Sequence, residues 1–523
     1  MEKYSCQENR RLGCSYKSLG GLLLSLLITS APAGATDKNI ISADATSIDD
    51  LFGGPPVIKK PATKPAPAAT QAVPPEGKPA IAPRTTGPTT AEPLPAKQLP
   101  EGAPANPIPV LAEDESQPAP SKSSVTGFFQ NDLAYTYAGS KHWSRFNNTL
   151  DLATEGTAGG VAWKLGGRVN YDPIYDLTDY YPSAVRKDQR FEAMIREAFV
   201  DFSAGDWDFR LGRQNVVWGE VVGLFFADVV SAKDLRQLVL PDFDMIRIPQ
   251  WTARAEYFQG DFHAEGIWIP YMTYDNIGKP GAEFYPFNPP AVPGFNTIIA
   301  SEEKPTRLND AAYGVRLSYL KRGWDMSGFY YTANDTAAAF SRQTSLLPTP
   351  TITYQPIHKR IHQVGATLGK DLGPMVLTAE AVYTKDKLFS TTDAADADGL
   401  VKQNIFDYIV GLEWSFPKKI RFNVQLFQRR FFNHDPNIVP NKTESGFSLL
   451  LGTQALHPKL EPELLLIHSL NRNDWSAQFK VTWKMDGNWR LATGIDVFDG
   501  PPTGLFGAFK DKDRVYTEAR YSF

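Results

Sequence analysis

From residue 124 onward the chain alternates. Trp475, Ala477, Phe479, Val481 and Trp483 are apolar, while Ser476, Gln478, Lys480, Thr482 and Lys484 between them are polar. Ile420, Phe422, Val424 and Leu426 alternate with Arg421, Asn423, Gln425 and Phe427. Val161, Trp163, Leu165, Gly167 and Val169 do the same with Ala162, Lys164, Gly166, Arg168 and Asn170. A period of two puts the two sets on opposite faces of a β-strand, here a strand between two solvents. A soluble sandwich would also satisfy the alternation, by turning the apolar face inward. Strand number and punctuation decide against it.

Eighteen such segments begin near residues 125, 142, 159, 191, 206, 248, 261, 310, 324, 359, 374, 402, 419, 444, 462, 475, 488 and 513. Short connections alternate with long ones. Glu155-Gly156-Thr157, Ala204-Gly205, Gln259-Gly260, Lys321-Arg322-Gly323, Leu372-Gly373, Pro417-Lys418, His457-Pro458 and Met485-Asp486-Gly487 are short. Most of the others span 13 to about 37 residues, with 139–141 and 471–474 as short exceptions. Tight turns on one side and long loops on the other is the arrangement of outer-membrane barrels, the tight side being periplasmic. The expected fold is therefore all-β: a transmembrane antiparallel β-barrel of about 18 strands over residues 124–523, with outer-membrane lipid around it. An even strand count returns the C-terminus to the side where the chain enters. Trp143, Trp163, Trp414, Trp475, Trp483 and Trp489 fall at strand ends, as interfacial girdles require. The last strand ends on Phe523, which resembles the signal by which the barrel assembly machinery recognises its clients.

Ahead of the barrel the texture differs. Arg10, Arg11 and Lys17, the apolar run 22–28 and Ala33-Gly34-Ala35 read as a secretory signal over residues 1–35. As a helix that run rises only about 10 Å, far short of a bilayer. Cleavage after Ala35 would remove Cys6 and Cys14, the only two cysteines, and with them any disulfide, thiolate metal site or cysteine nucleophile. No cofactor is expected. The remainder would carry 50 Lys and Arg against 56 Asp and Glu, which does not suit nucleic acid.

Residues 55–123 form a Pro-rich linker, with 18 prolines between 55 and 120. Such a segment cannot bury enough apolar surface to fold, and at about 3.1 Å per residue it could reach on the order of 200 Å. It reads as a disordered periplasmic tether. In the preceding segment, 36–54, Ser47 and Asp50 make a capping-box pattern. Ile48, Asp49, Asp50, Leu51 and Phe52 would present a short hook to a periplasmic or inner-membrane transporter. The alternative, an apolar remnant beside the cleavage site, is equally open.

Around the fifth strand the sequence runs Arg210-Leu-Gly-Arg-Gln214-Asn-Val-Val-Trp218-Gly-Glu220, preceded by Arg196-Glu197-Ala-Phe-Val-Asp201 and followed by Ala227-Asp228 and Ser231-Ala-Lys-Asp234-Leu-Arg236. Here the chain resembles a family of large proteobacterial outer-membrane β-barrels of uncertain function, related to the alginate-export porins. The resemblance is clear over about residues 125–270. It implies a transport barrel, often linked with inner-membrane exporters of lipids or other hydrophobic compounds. The family usually continues Asn-Pro-x-Asp where this chain has Ser231-Ala232-Lys233-Asp234.

The loop 216–246 carries two apolar runs, 221–226 and 238–240, which would be costly to leave in water. It is expected to fold back into the lumen. There Glu220, Asp228, Asp234, Asp242 and Asp244 could pair with lumen arginines, Arg210 and Arg254 being the candidates by strand parity. Gln214, Trp218, Arg236 and Arg247 complete the expected constriction. A packing plug with no ligand role fits the same residues. By parity Arg168, Arg316, Arg421, Lys480, Arg490 and Arg520 face the lumen, as do Asp151, Glu380, Asp407, Glu413 and Glu518. That balance does not suit a polyuronate pore, which would want a basic excess.

Three functions compete. The first is a channel or export conduit for a lipid, hydrophobic or saccharide-like substrate, coupled through the tether to its partner. The second is a plugged barrel anchoring a periplasmic complex. An outer-membrane hydrolase would need a Ser or Asp with a His at the rim. Of the seven His, His263, His362 and His457 offer no such spacing, so an enzyme is not expected.

Overall fold

The computed structural model describes residues 124–523 apart from 220, 222, 223, 290, 417 and 418. The signal segment (1–35), the docking segment (36–54) with Ile48, Asp49, Asp50, Leu51 and Phe52, the linker (55–123), Glu220 and the turn at Pro417-Lys418 lie outside the described residues.

Eighteen antiparallel strands close into one sheet. In chain order they are β1 (Ser124–Thr136), β2 (His142–Ala158), β3 (Val161–Tyr171), β4 (Phe191–Ala204), β5 (Trp207–Gln214) and β6 (Gln250–Gln259). Next come β7 (Phe262–Ile269), β8 (Ala312–Lys321), β9 (Trp324–Asn334), β10 (Arg360–Asp371), β11 (Met375–Ser390) and β12 (Leu400–Phe416). The last six are β13 (Ile420–Phe431), β14 (Thr443–Thr453), β15 (Leu460–Ser469), β16 (Asp474–Lys484), β17 (Trp489–Asp499) and β18 (Arg514–Ser522). Each begins within two residues of the position read from the alternation. β1 also pairs with β18, Phe128 opposite Ser522 and Thr136 opposite Arg514, which closes the barrel. Gly127 and Phe523 finish the seam by exchanging two backbone hydrogen bonds of 2.9 Å. Closure leaves no sheet edge, as a wall in lipid requires.

The burial pattern shows which way the wall faces. Along β13, Asn423, Gln425 and Arg429 are buried, whereas Leu426 between them is 60% exposed. On β3 Arg168 is buried and Leu165 exposed, and on β10 Thr367 is buried and Val364 exposed. A water-soluble fold does the reverse. Polar lining and an apolar exterior belong to a membrane-spanning barrel. The sandwich alternative falls on this inversion.

Tight turns join the strands at one end, with Gly205 and Gly260 in the left-handed region at φ +64° and +59°. At the other end long connections fold over the mouth. Those at 391–399 and 432–442 are shorter than expected, because β11 continues to Ser390, β12 starts at Leu400 and β13 continues to Phe431. Strands Asn296–Ile299, Ala339–Ser345 and Thr351–Ile357 make a small separate sheet above the barrel. Glu283, from the connection 270–311, accepts hydrogen bonds from Thr136 at 3.0 Å and Tyr181 at 2.9 Å. His142 at 3.0 Å and Lys512 at 3.6 Å complete its surroundings, so one carboxylate ties the connections 172–190 and 500–513 to the ends of β1 and β2.

Candidate functional site in the lumen

The connection between β5 and β6, residues 215–249, enters the barrel, and its apolar residues dictate that path. Val221, Leu224, Phe225, Phe226, Leu235, Leu238, Val239 and Ile246 are buried in one cluster with Ile409, Phe427, Ile467 and Phe498. The last four stand on β12, β13, β15 and β17 at inward positions, where a water-filled pore carries polar side chains. Phe284, Leu505, Phe506 and Phe509 from the cap join the same cluster. A buried Leu or Phe is worth about 1.5–3 kcal/mol, so apolar contact is the main force seating the loop.

Directed hydrogen bonds fix its course. Glu380 of β11 accepts the backbone N–H of Val221 at 2.9 Å and of Ala227 at 2.7 Å. Trp218 is fully buried against Phe329 and Tyr331, and its indole N–H donates to Glu265 at 3.1 Å. Gly314 makes room for that indole, since a Cβ there would lie 2.6 Å from it. On the returning arm Arg196 of β4 donates to the carbonyls of Arg247 at 2.5 Å and Asp244 at 2.8 Å. Gln250 donates to Val230 O at 3.3 Å and Gln214 to Thr252 O at 3.0 Å, which latches the loop's base.

The loop's carboxylates find partners other than those expected. Asp228 binds Arg247 of the same loop at 2.7 Å, with side chains 2% and 4% exposed. Asp234 binds Arg236 at 2.5 Å, and Arg236 reaches on to Glu192 of β4 at 2.5 Å. Asp242, at the tip, meets Lys480 at 2.9 Å, Arg490 at 3.0 Å and Arg520 at 3.8 Å. Asp244 stays exposed, 3.6 Å from Arg247. Among the described residues, Arg210 and Arg254 do not reach the loop's carboxylates. Asp201 stands directly opposite Arg210 in the sheet register and binds it at 2.6 Å. Arg254 is taken by Glu256 at 2.5 Å and Glu265 at 2.9 Å. Their own or adjoining strands offered these two arginines closer carboxylates. Parity puts Lys480, Arg490 and Arg520 in the lumen, but no local signal says which rung meets the tip. Glu380, Arg196 and Glu265 as loop anchors were missed for the same reason.

These surroundings set the charges. Burial alone would raise the Asp242 carboxyl, but Lys480, Arg490 and Arg520 outweigh it and hold the group well below the usual carboxylate range. Burial likewise opposes ionisation of Asp234, and Arg236 overcomes it. Asp172, at the head of the connection 172–190, goes the other way. Burial pushes it up to about 6, against the pull of Arg145 and the amides of Ile174 and Phe146.

The loop leaves open space on both sides. One cavity, with about 1160 Å³ of space open to solvent, lies between the loop and β1–β4 and β18. Arg145, Arg168, Arg196, Arg236 and Arg514 line it with Asp132, Asp172, Glu192, Asp234, Asp242 and Glu518, five arginines against six carboxylates. Leu133, Met194, Leu240, Met245 and Ile248 stand among them. A second space of about 620 Å³ separates Phe225–Asp228 from β9–β13.

The protein family described as "protein of unknown function (DUF1302)" matches residues 130–523, about three quarters of the sequence. The chain belongs to this family. No curated protein matches it in sequence. Among solved structures, this DUF1302 barrel is similar to OccAB1 of Acinetobacter baumannii, at 9% identity and TM-score 0.48 over 77% of this chain and 96% of that one. It is also similar to OccK8 (OprE) of Pseudomonas aeruginosa, at 12% identity and TM-score 0.46 over 77% and 97%. OpdL of Pseudomonas aeruginosa is 10% identical, with TM-score 0.44 over 77% and 98%. The likeness lies in the barrel architecture alone.

Proposed function

We propose that this DUF1302 protein is an outer-membrane channel or export conduit whose bore is set by the inward loop 215–249. Its substrate is lipid, hydrophobic or saccharide-like, and residues 36–123 tether it to a periplasmic or inner-membrane transporter through Ile48, Asp49, Asp50, Leu51 and Phe52. The observation that carries this reading is the loop itself. It is latched at both arms, yet a solvent-connected cavity lined by Arg145, Arg168, Glu192 and Arg514 remains beside it. Apolar side chains interleaved with paired charges suit an amphiphilic solute better than a simple ion. Kinship with the alginate-export porins belongs to the proposal too. Five arginines facing six carboxylates argue against a polyuronate as the solute. Phe523, paired in the seam, would be the residue read by the barrel assembly machinery.

A plugged barrel that anchors a periplasmic complex is the second reading. It is favoured by the continuity of the loop's apolar cluster with Leu505, Phe506 and Phe509 of the cap. Single-channel recording separates the two. The full-length protein is expected to conduct, and deletion of residues 221–240 to raise conductance several-fold while the barrel stays heat-modifiable. A silent full-length barrel that opens only on deletion supports the anchor. Equal conductance in both forms would show that the loop does not set the bore.

A further inference from the structure

The outer wall is not uniform at the long-loop end. Over β2–β8 its outward side chains include Trp143, Tyr171, Phe191, Trp251, Trp268 and Tyr313, all exposed, as an interfacial aromatic belt requires. Over β11–β13 the belt keeps Tyr383, Phe406 and Phe432 and adds three bases, Lys385, Lys402 and Arg430. All three are exposed, while Thr384, Gln403 and Arg429 beside them are buried toward the lumen. Parity therefore places the three cations on the membrane side.

The register brings them together. Tyr383 lies opposite Phe406 and Phe406 opposite Arg430, while Lys402 lies opposite Leu388 just past a bulge in β11. With strands about 4.8 Å apart and two residues spanning about 6.8 Å, the three Cα atoms fall within roughly 15 Å. Asp386, in that bulge, donates its backbone N–H to Asn404 at 3.1 Å and places one half-buried carboxylate next to Lys385, so the face carries three bases against one acid. Tyr383 and Phe432 pack edge to face at 5.7 Å and form an apolar shelf beside the bases. With Asp386 as the one acid among them, the three bases leave the face net positive, and a second copy of the same face would repel it. A phosphate balances that charge, because ammonium and guanidinium groups hold its oxygens by charge-assisted hydrogen bonds.

We propose that Lys385, Lys402 and Arg430 bind the phosphates of the glycolipid of the outer leaflet, a diphosphorylated lipid A. The proposal rests on the reading above only in taking the long-loop end to face the cell exterior. The test is native mass spectrometry of the full-length protein titrated with diphosphoryl lipid A, dephosphorylated lipid A and phosphatidylglycerol. Wild type and Lys321→Gln, a base at the opposite rim, are expected to retain one diphosphoryl lipid. The triple variant Lys385→Gln/Lys402→Gln/Arg430→Gln should bind it at least tenfold more weakly while keeping its heat-modifiable mobility. Equal binding by the triple variant overturns the site. So does equal retention of dephosphorylated lipid A or phosphatidylglycerol, or a dimer that needs the three bases. Channel silence with lipid binding intact would count against the transport reading alone.

Discussion

Lys480 Nζ lies 2.9 Å from Asp242 Oδ1, which ties the tip of the inward loop to a strand 238 residues further along the chain. With Arg490 and Arg520 it gives that tip a cationic seat. The groups are partly wetted, so the pair is worth at most about 1 kcal/mol and cannot hold the loop alone. Its role is to fix the tip. Asp242→Asn keeps the shape and removes the charge, and should leave barrel stability unchanged while adding current noise in single-channel recordings. The pH sign follows from the depressed carboxyl. Its contribution is complete above the unfolded value of about 3.9 and is lost as pH falls below that toward the native value. Wild-type channels should therefore be quiet at pH 7 and grow noisy only under strong acid. Equally quiet channels from the variant would show that the charges do not hold the tip.

Asp228 and Arg247 behave differently because water does not reach them. Breaking a buried pair from one side leaves an uncompensated charge and costs about 3–5 kcal/mol. That cost falls on the loop's docking, since the β-ladder does not pass through either side chain. Asp228→Ala should make the loop cleavable by chymotrypsin after Phe225 or Phe226, with the barrel still heat-modifiable. Replacing both residues, Asp228→Leu with Arg247→Met, should restore most of the protection. Persistent resistance in Asp228→Ala would mean that the apolar cluster holds the loop without the pair.

The strands were legible because a membrane wall imposes a strict period of two. Trp475 to Lys484 shows it without interruption, and the observed strand begins at Asp474. The loop's inward path was legible as well, because residues 221–226 and 238–240 had no other place to go. Its partners were not. Arg210 and Lys480 look alike in the sequence, both inward and both cationic. Only the register shows that Asp201 already faces Arg210. Ile409, Phe427, Ile467 and Phe498 interrupt the polar inner face. Such breaks in the pattern were the available signal that something apolar packs inside.

Asp172 lines the larger cavity and carries a carboxyl that burial pushes up to about 6. It is charged above that pH and neutral below it. Crossing from pH 7 to pH 5 therefore removes the Asp172 charge from a cavity lined by five arginines and six carboxylates. Reversal potentials under a salt gradient should shift toward anions over that interval. Asp172→Asn should show the low-pH value throughout, with no step near pH 6. A step that persists in the variant would assign the titration to another group.

The seam of the barrel begins only three residues into β1. Gly127 and Phe523 exchange backbone hydrogen bonds and Phe128 pairs with Ser522, so the described seam runs between residues 127–136 and 514–523. Deleting residues 37–123 should leave barrel levels in the outer membrane normal and heat modifiability intact. Phe523→Ala is a different matter. It keeps the backbone bonds but removes an exposed aromatic from the belt at the tight-turn end, where Tyr521 stacks on it at 6.1 Å. If Phe523 is read during assembly, its loss should lower barrel levels several-fold in cells while refolding in detergent is unaffected. Transport measured in cells should fail in the deletion and in a full-length variant with Leu51→Asp and Phe52→Asp, both of which still insert. Normal transport by either would remove the tether from the mechanism, and a missing barrel in the deletion would make residues 37–123 part of the fold.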